Sequence, residues 1–199
     1  MPDRRHSRPA SSRRGSFSAG AAKPAWTLWR NLGSHWKTVN IDGDSRIASS
    51  VTSLGGELLF AAQTQTILAS TVPHDRPSAL DHGWMEAGMN EGRRSGLLRA
   101  LFCVRLLEQT VESTPEKRLA FLVGAIVAED ADTLVARGIL TSDAPVLIAG
   151  GGAGVSAAWQ KALAQKSIQS TTLDEAQVEK GLLTGLRSIA AASTCHQAV

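Results

Sequence analysis

The chain has 199 residues, enough for one substantial core, and carries a formal net charge of +3 that is unevenly spread. Arg4, Arg5, Arg8, Arg13, Arg14 and Lys23 against Asp3 give the first 25 residues a net +5, which leaves −2 on the rest. The basic character therefore belongs to one end, and the body, with no Tyr and no basic stripe interleaved with aromatics, does not read as a nucleic-acid binder. No apolar run approaches the roughly 18 residues needed to span a bilayer, so no membrane segment is expected. Cys103 and Cys195 have no spacing suited to a metal or a disulfide framework, and a reducing compartment follows.

Residues 1–25 are rich in Arg, Ser, Ala, Gly and Pro without apolar periodicity, the composition of a disordered segment. From Trp26 to Val51 the pattern is sheet-like: Val39 and Ile41 alternate, Asp42, Gly43 and Asp44 supply turn chemistry, and Ile47 and Val51 alternate on the return. This reads as a β-hairpin preceded by a tight loop from Asn31 to Lys37. Gly33, Ser34, His35 and Lys37 in that loop are residue types that coordinate phosphate oxygens.

A helix is expected from Gly55 to about Ser70, with Glu57 in its first turn favoured by the helix dipole. Pro73 and Pro77 mark a surface loop. Further helical regions begin near Ala79 and Glu91, the second with an apolar stripe through Leu97, Leu101, Val104 and solvated arginines outside. Thr114, Pro115 and Glu116 form a helix start, and the helix that follows is apolar enough to be central. Glu129, Asp130 and Asp132 read as its polar end rather than as a metal site.

Val146, Leu147 and Ile148 form a short buried strand, followed by Gly150, Gly151, Gly152 and Gly154 and an amphipathic helix through Trp159 and Leu163. Strand, glycine turn and helix N-terminus make a seat for a nucleotide. The P-loop signature is excluded, because Gly154 is followed by Val155 and Ser156 rather than by Lys and Ser or Thr. The dinucleotide fingerprint lacks its third glycine or alanine, with Val155 in its place, although Asp174 stands about 20 residues on. A strand over 167–172 and a last helix over 173–192, with Val178, Leu182, Gly185, Leu186 and Ile189 on one face, complete an α/β order.

Five pieces in register carry a resemblance: GSHWK at Gly33–Lys37, LGGELL at Leu54–Leu59, GLLRALFCVR at Gly96–Arg105, LIAGGG at Leu147–Gly152 and GLRSIA at Gly185–Ala190. Over residues 31–192 the chain resembles the C-terminal half of 2-dehydro-3-deoxygalactonokinase. The resemblance implies the C-terminal lobe of an actin-like ATPase fold, two ribonuclease H-like lobes around an ATP cleft. It also implies transfer of the ATP γ-phosphate, with Mg2+, to the 6-hydroxyl of 2-dehydro-3-deoxy-D-galactonate in the cytoplasm. By the same resemblance Gly150, Gly151 and Gly152 correspond to the adenosine-binding motif, and Gly33, Ser34 and His35, with Lys37 behind them, to a second phosphate loop. The family usually has a small residue at the place of Trp36, an aromatic at that of Thr38 and Thr at that of Gly55.

The family's N-terminal lobe, with its first phosphate loop and most sugar contacts, has no counterpart here, and an acidic run normally precedes GSHWK. Its place is filled by RRHSRPASSRRGSFSAG, without Asp or Glu. The expected organisation is therefore a disordered basic segment over 1–30, a misread or frameshifted stretch of a kinase gene, and an actin-like lobe over 31–199, with no catalytic or metal-binding residue assigned. Such a chain is expected to hold nucleotide and to be weak or inactive alone. A non-catalytic nucleotide- or partner-binding module is the alternative, and a dinucleotide-dependent enzyme using Gly150–Gly154 and Asp174 a third reading.

Overall fold

The computed structural model describes residues 26–32, 35–75, 77–110 and 112–196, the side chains of 26–32, 153 and 192–196 excepted. Five strands form one mixed sheet in the order β3-β2-β1-β4-β5: β1 (Trp26–Leu32), β2 (His35–Ile41), β3 (Ile47–Ser53), β4 (Val146–Gly150) and β5 (Ser170–Leu173). The first three strands are antiparallel neighbours, whereas β1 pairs parallel with β4 and β4 parallel with β5. The helices are α1 (Gly55–Thr64), α2 (His82–Ser95), α3 (Leu97–Thr110), α4 (Pro115–Ala136), α5 (Gly152–Ala164) and α6 (Glu175–His196).

The expected hairpin is β2–β3, turning at Asp42, whose carboxylate accepts from the Asp44 and Arg46 amides at 3.0 and 2.9 Å. The loop expected over 31–37 is not there: residues 31–32 end β1, and 35–37 already belong to β2. The expected boundary after residue 30 likewise falls inside β1, the central strand of the sheet. Residues 1–25, the rest of the segment expected to be disordered, lie outside the described residues.

Helix α1 ends at Thr64 rather than near Ser70. The Thr64 and Thr66 hydroxyls donate to the Phe60 and Ala62 carbonyls, and Thr66 Oγ1 accepts from the Leu68 amide, an alternative to the helical ladder. The boundary expected near Glu91 lies instead at Gly96, at φ 82°, where α2 ends and α3 begins. Thr114 caps α4 as expected, accepting from the Lys117 amide.

Helix α4 is buried on nearly every side from Arg118 to Ala128. A single core joins Trp36, Val146 and Ile148 of the sheet to Leu122 and Ile126 of α4 and to Trp159 of α5. On its outer side α4 meets α2 at two glycines: a Cβ on Gly88 would lie 2.0 Å from the Phe121 carbonyl oxygen, and one on Gly124 2.1 Å from that of Met85. On the opposite face of the sheet Leu147 and Ala149 look across a cavity to α6.

The three carboxylates at the end of α4 diverge. Asp132 forms ion pairs with Arg93 on α2 at 2.7 Å and with Lys166 after α5 at 2.8 Å. Asp130 accepts from Ser53 Oγ on β3 at 2.6 Å, and burial raises its pKa above the usual carboxylate value. A raised folded-state pKa means that the ionised form is penalised in the fold, so stability falls as pH rises from about 4 through the raised value. Asp130→Asn keeps an acceptor for Ser53 without the charge. We expect it to melt above the wild type at pH 7, the difference vanishing below about pH 4; a lower melting temperature at pH 7 would refute the assignment.

Candidate functional site

The strand pairing brings the end of β1 beside the glycine turn. Leu32 faces His35 in the last β1–β2 pair, so Gly33 and Ser34, which lie outside the described residues, connect those strands. On its other side β1 runs parallel to β4 with Asn31 opposite Gly150. Parallel neighbours about 4.8 Å apart finish side by side, so the β1–β2 connection and the glycine turn leave the same end of the sheet. That end, beyond the carboxyl ends of adjacent parallel strands, is where ligands bind in open α/β sheets.

The glycine turn has a conformation that only glycine adopts readily. Gly150, Gly151 and Gly152 have φ of 82°, 88° and 71° in succession, left-handed values that cost an L side chain about 1–2 kcal/mol each. Ser156 Oγ donates to the Gly150 carbonyl at 2.8 Å and ties the turn to the first turn of α5. Gly151 is the N-cap of α5 and supplies no side-chain cap. Instead the Gly154 amide donates to the Pro77 carbonyl at 3.2 Å, and a Cβ on Gly154 would approach that oxygen to 2.7 Å. The loop around Pro77, expected on the surface, is thus packed through Pro77 against the start of α5. Gly151 is buried, whereas Gly152 is exposed at the mouth of the turn.

His35 and Lys37 stand on β2 and are exposed, while Trp36, Thr38 and Asn40 alternate into the interior. Trp36 packs edge to face on Trp159 of α5 with ring centroids 5.4 Å apart. A Cβ on Gly55 would lie 2.5 Å from the Trp36 ring, so a large residue at 36 and glycine at 55 are complementary. The positions where this chain departs from the resemblance are therefore packing positions beneath the sheet, and His35 and Lys37 face the other way. His35 Nε2 lies 3.5 Å from the Glu57 carboxylate with both side chains about half exposed, a pairing that contributes little to stability. Lys37 Nζ donates to Thr52 Oγ1 at 3.4 Å.

The register places Lys37 and Ala149 opposite the same residue of β1, Arg30, and hence on one face of the sheet. On that face a cavity of about 480 Å3 lies between β4, β5 and α6, lined by Leu147, Ala149, Leu173, Val178, Leu182 and Leu186. The sequence showed the α6 face but not the cavity, since nothing in the periodicity of one helix tells how closely it meets a sheet. Asp174 is engaged elsewhere: its carboxylate accepts from the Gln177 amide at 2.7 Å while Gln177 Oε1 accepts from the Asp174 amide, a reciprocal cap on α6. Among the described residues no group of three or more His, Cys, Asp or Glu is arranged to hold a metal ion.

The profile of the 2-keto-3-deoxy-galactonokinase family matches residues 18–187. The chain belongs to that family. The family match extends in front of β1, into the segment expected to be misread. Among solved structures, a provisionally assigned 2-dehydro-3-deoxygalactonokinase protein from Sinorhizobium meliloti is similar in fold, with a TM-score of 0.67 and 21% identity over 83% of this chain. The chain spans 55% of the length of that protein. The activator of 2-hydroxyisocaproyl-CoA dehydratase from Clostridium difficile, solved with bound ADPNP, is similar at a TM-score of 0.54 and 14% identity, over 88% of this chain and 63% of that one. No curated protein matches. The 2-keto-3-deoxy-galactonokinase match includes both candidate turns, GSHWK and the three glycines. Among the described residues no helix is long and apolar enough to cross a membrane.

Proposed function

We propose that this chain is the C-terminal, nucleotide-holding lobe of an actin-like sugar-acid kinase, which transfers the ATP γ-phosphate to the 6-hydroxyl of 2-dehydro-3-deoxy-D-galactonate in the cytoplasm. The observation that carries the reading is the pairing of Asn31 with Gly150, which sets the end of β1 beside the glycine turn. The mixed α/β sheet in the order β3-β2-β1-β4-β5, together with the similarity in fold to the two solved structures, supports the reading.

In this account Gly150–Gly152 receive the adenosine end of the nucleotide, where missing side chains let it approach the backbone. Gly33, Ser34 and His35 receive phosphate oxygens, with Lys37 adding positive charge behind them. Mg2+ neutralises developing charge on the phosphates when bound, and its usual protein ligands are one or two carboxylates beside those phosphates. Glu57, exposed next to His35, fits that requirement. Phosphoryl transfer also requires a base on the acceptor hydroxyl and a second wall that excludes water. We assign no base within this chain, and we expect it alone to bind ATP and to turn over little.

The test is calorimetry with ATP and with NAD, followed by a turnover assay with the sugar acid. Saturable binding of ATP in preference to NAD, with little turnover, is the expected outcome. Preference for NAD would revive the dinucleotide reading, which the engagement of Asp174 in the α6 cap disfavours. Turnover at ordinary kinase rates, about 1–100 per second, would show that the base lies within these residues.

A further inference from the structure

Helix α5 begins without a cap of its own, and the acceptor that replaces one comes from a distant segment. Pro77 is buried, and its carbonyl takes the Gly154 amide at 3.2 Å. The Pro77 segment is in turn held from behind by Gln63 on α1, a side chain 2% exposed whose Nε2 donates to the carbonyls of Pro73 at 2.6 Å and Asp75 at 3.0 Å. Arg118 of α4, also buried, fixes the start of the same segment by donating to the Thr71 carbonyl at 2.7 Å. A primary amide with both donor hydrogens directed at main-chain carbonyls in the interior is an expensive arrangement to disrupt, because two acceptors lose their partner at once.

The geometry points to Gln63 as a positioning residue for the glycine turn. By anchoring the Pro73 and Asp75 carbonyls it fixes the segment that presents the Pro77 carbonyl to the first turn of α5, and through Gly154 that segment sets where Gly150–Gly152 stand. The inference rests on the nucleotide reading only in its consequence, that Gln63 controls ATP affinity from outside the site; the mechanical claim concerns this chain by itself. It also explains the fourth glycine. Gly154 lies within a helix, where alanine would be preferred by about 1 kcal/mol, yet a Cβ there would meet the Pro77 oxygen at 2.7 Å and its ring carbons at 3.1 Å.

Two substitutions release the same contact from opposite sides. Gln63→Met keeps the volume and removes both donors. Gly154→Ala leaves Gln63 in place and pushes Pro77 away. The Gly154 amide, read by NMR hydrogen exchange without nucleotide, is expected to exchange roughly tenfold faster in Gln63→Met, while amides at the centre of α4 keep their rates; ATP dissociation constants should rise by a similar factor in both variants. An unchanged Gly154 rate in Gln63→Met, or a rise spread evenly over α4 as general destabilisation would give, overturns the inference. Failure of the wild type to bind ATP would remove the nucleotide reading instead, and the exchange rates would still decide what Gln63 holds.

Discussion

Replacing Gly151 by valine is expected to weaken ATP binding on the order of a hundredfold while leaving a folded protein. Gly151 sits at φ 88° between two glycines that are also left-handed, and it is buried, so a β-branched side chain meets both backbone strain and lack of room. The strain is of the order of 1–3 kcal/mol, and the turn can relieve it only by moving the backbone out of the shape proposed to receive the nucleotide. A movement of about 1 Å at such a position is enough to cost on the order of a hundredfold. Gly138→Ala is the control: Gly138 has φ 67°, and its Cβ would meet nothing within 4 Å. It should lower stability by about 1 kcal/mol and leave the ATP dissociation constant unchanged. Equal effects of the two substitutions on binding would show that the turn has no special role.

Gly124→Ala is expected to have the largest effect on stability. The new methyl would lie 2.1 Å from the Met85 carbonyl oxygen, which is helix backbone and cannot rotate aside. The reciprocal contact of Gly88 with the Phe121 carbonyl means that α2 and α4 touch main chain to main chain at two places, so the crossing has to open as a whole. Overpacking of this kind costs about 3 kcal/mol or more, which for a chain of this size lowers the melting temperature by roughly 10 °C. A shift within about 2 °C in thermal denaturation would contradict the close approach.

The sequence was most informative where a side chain or its omission has a local reason. Thr114 and Pro115 announced α4, and the apolar run and glycines over 146–152 announced β4 and its turn. Local pattern misled where the outcome depends on partners far along the chain. GSHWK looked like a loop because Gly33, Ser34 and Lys37 are loop residues, yet β1 and β4 draw its flanks into the sheet. Trp36 was legible as a departure from the family, but only the fold shows it under the sheet, beside Gly55 and Trp159. The close packing of α2 on α4 was not read from the sequence, because the contact of Gly88 with Phe121 and of Gly124 with Met85 depends on a partner helix far along the chain. The Pro73–Pro77 loop was read as a surface loop because prolines punctuate loops, and Pro77 is buried against Gly154, a residue far from it in sequence.

The central claim is that the β1–β2 connection and the glycine turn form one nucleotide site. Hydrogen exchange read by mass spectrometry, with and without a non-hydrolysable ATP analogue, addresses both segments in one measurement. The account predicts slower exchange in peptides spanning 31–37 and 150–156 together, with the same dependence on analogue concentration. Protection of only one of the two segments, or of neither at saturating analogue, would contradict it.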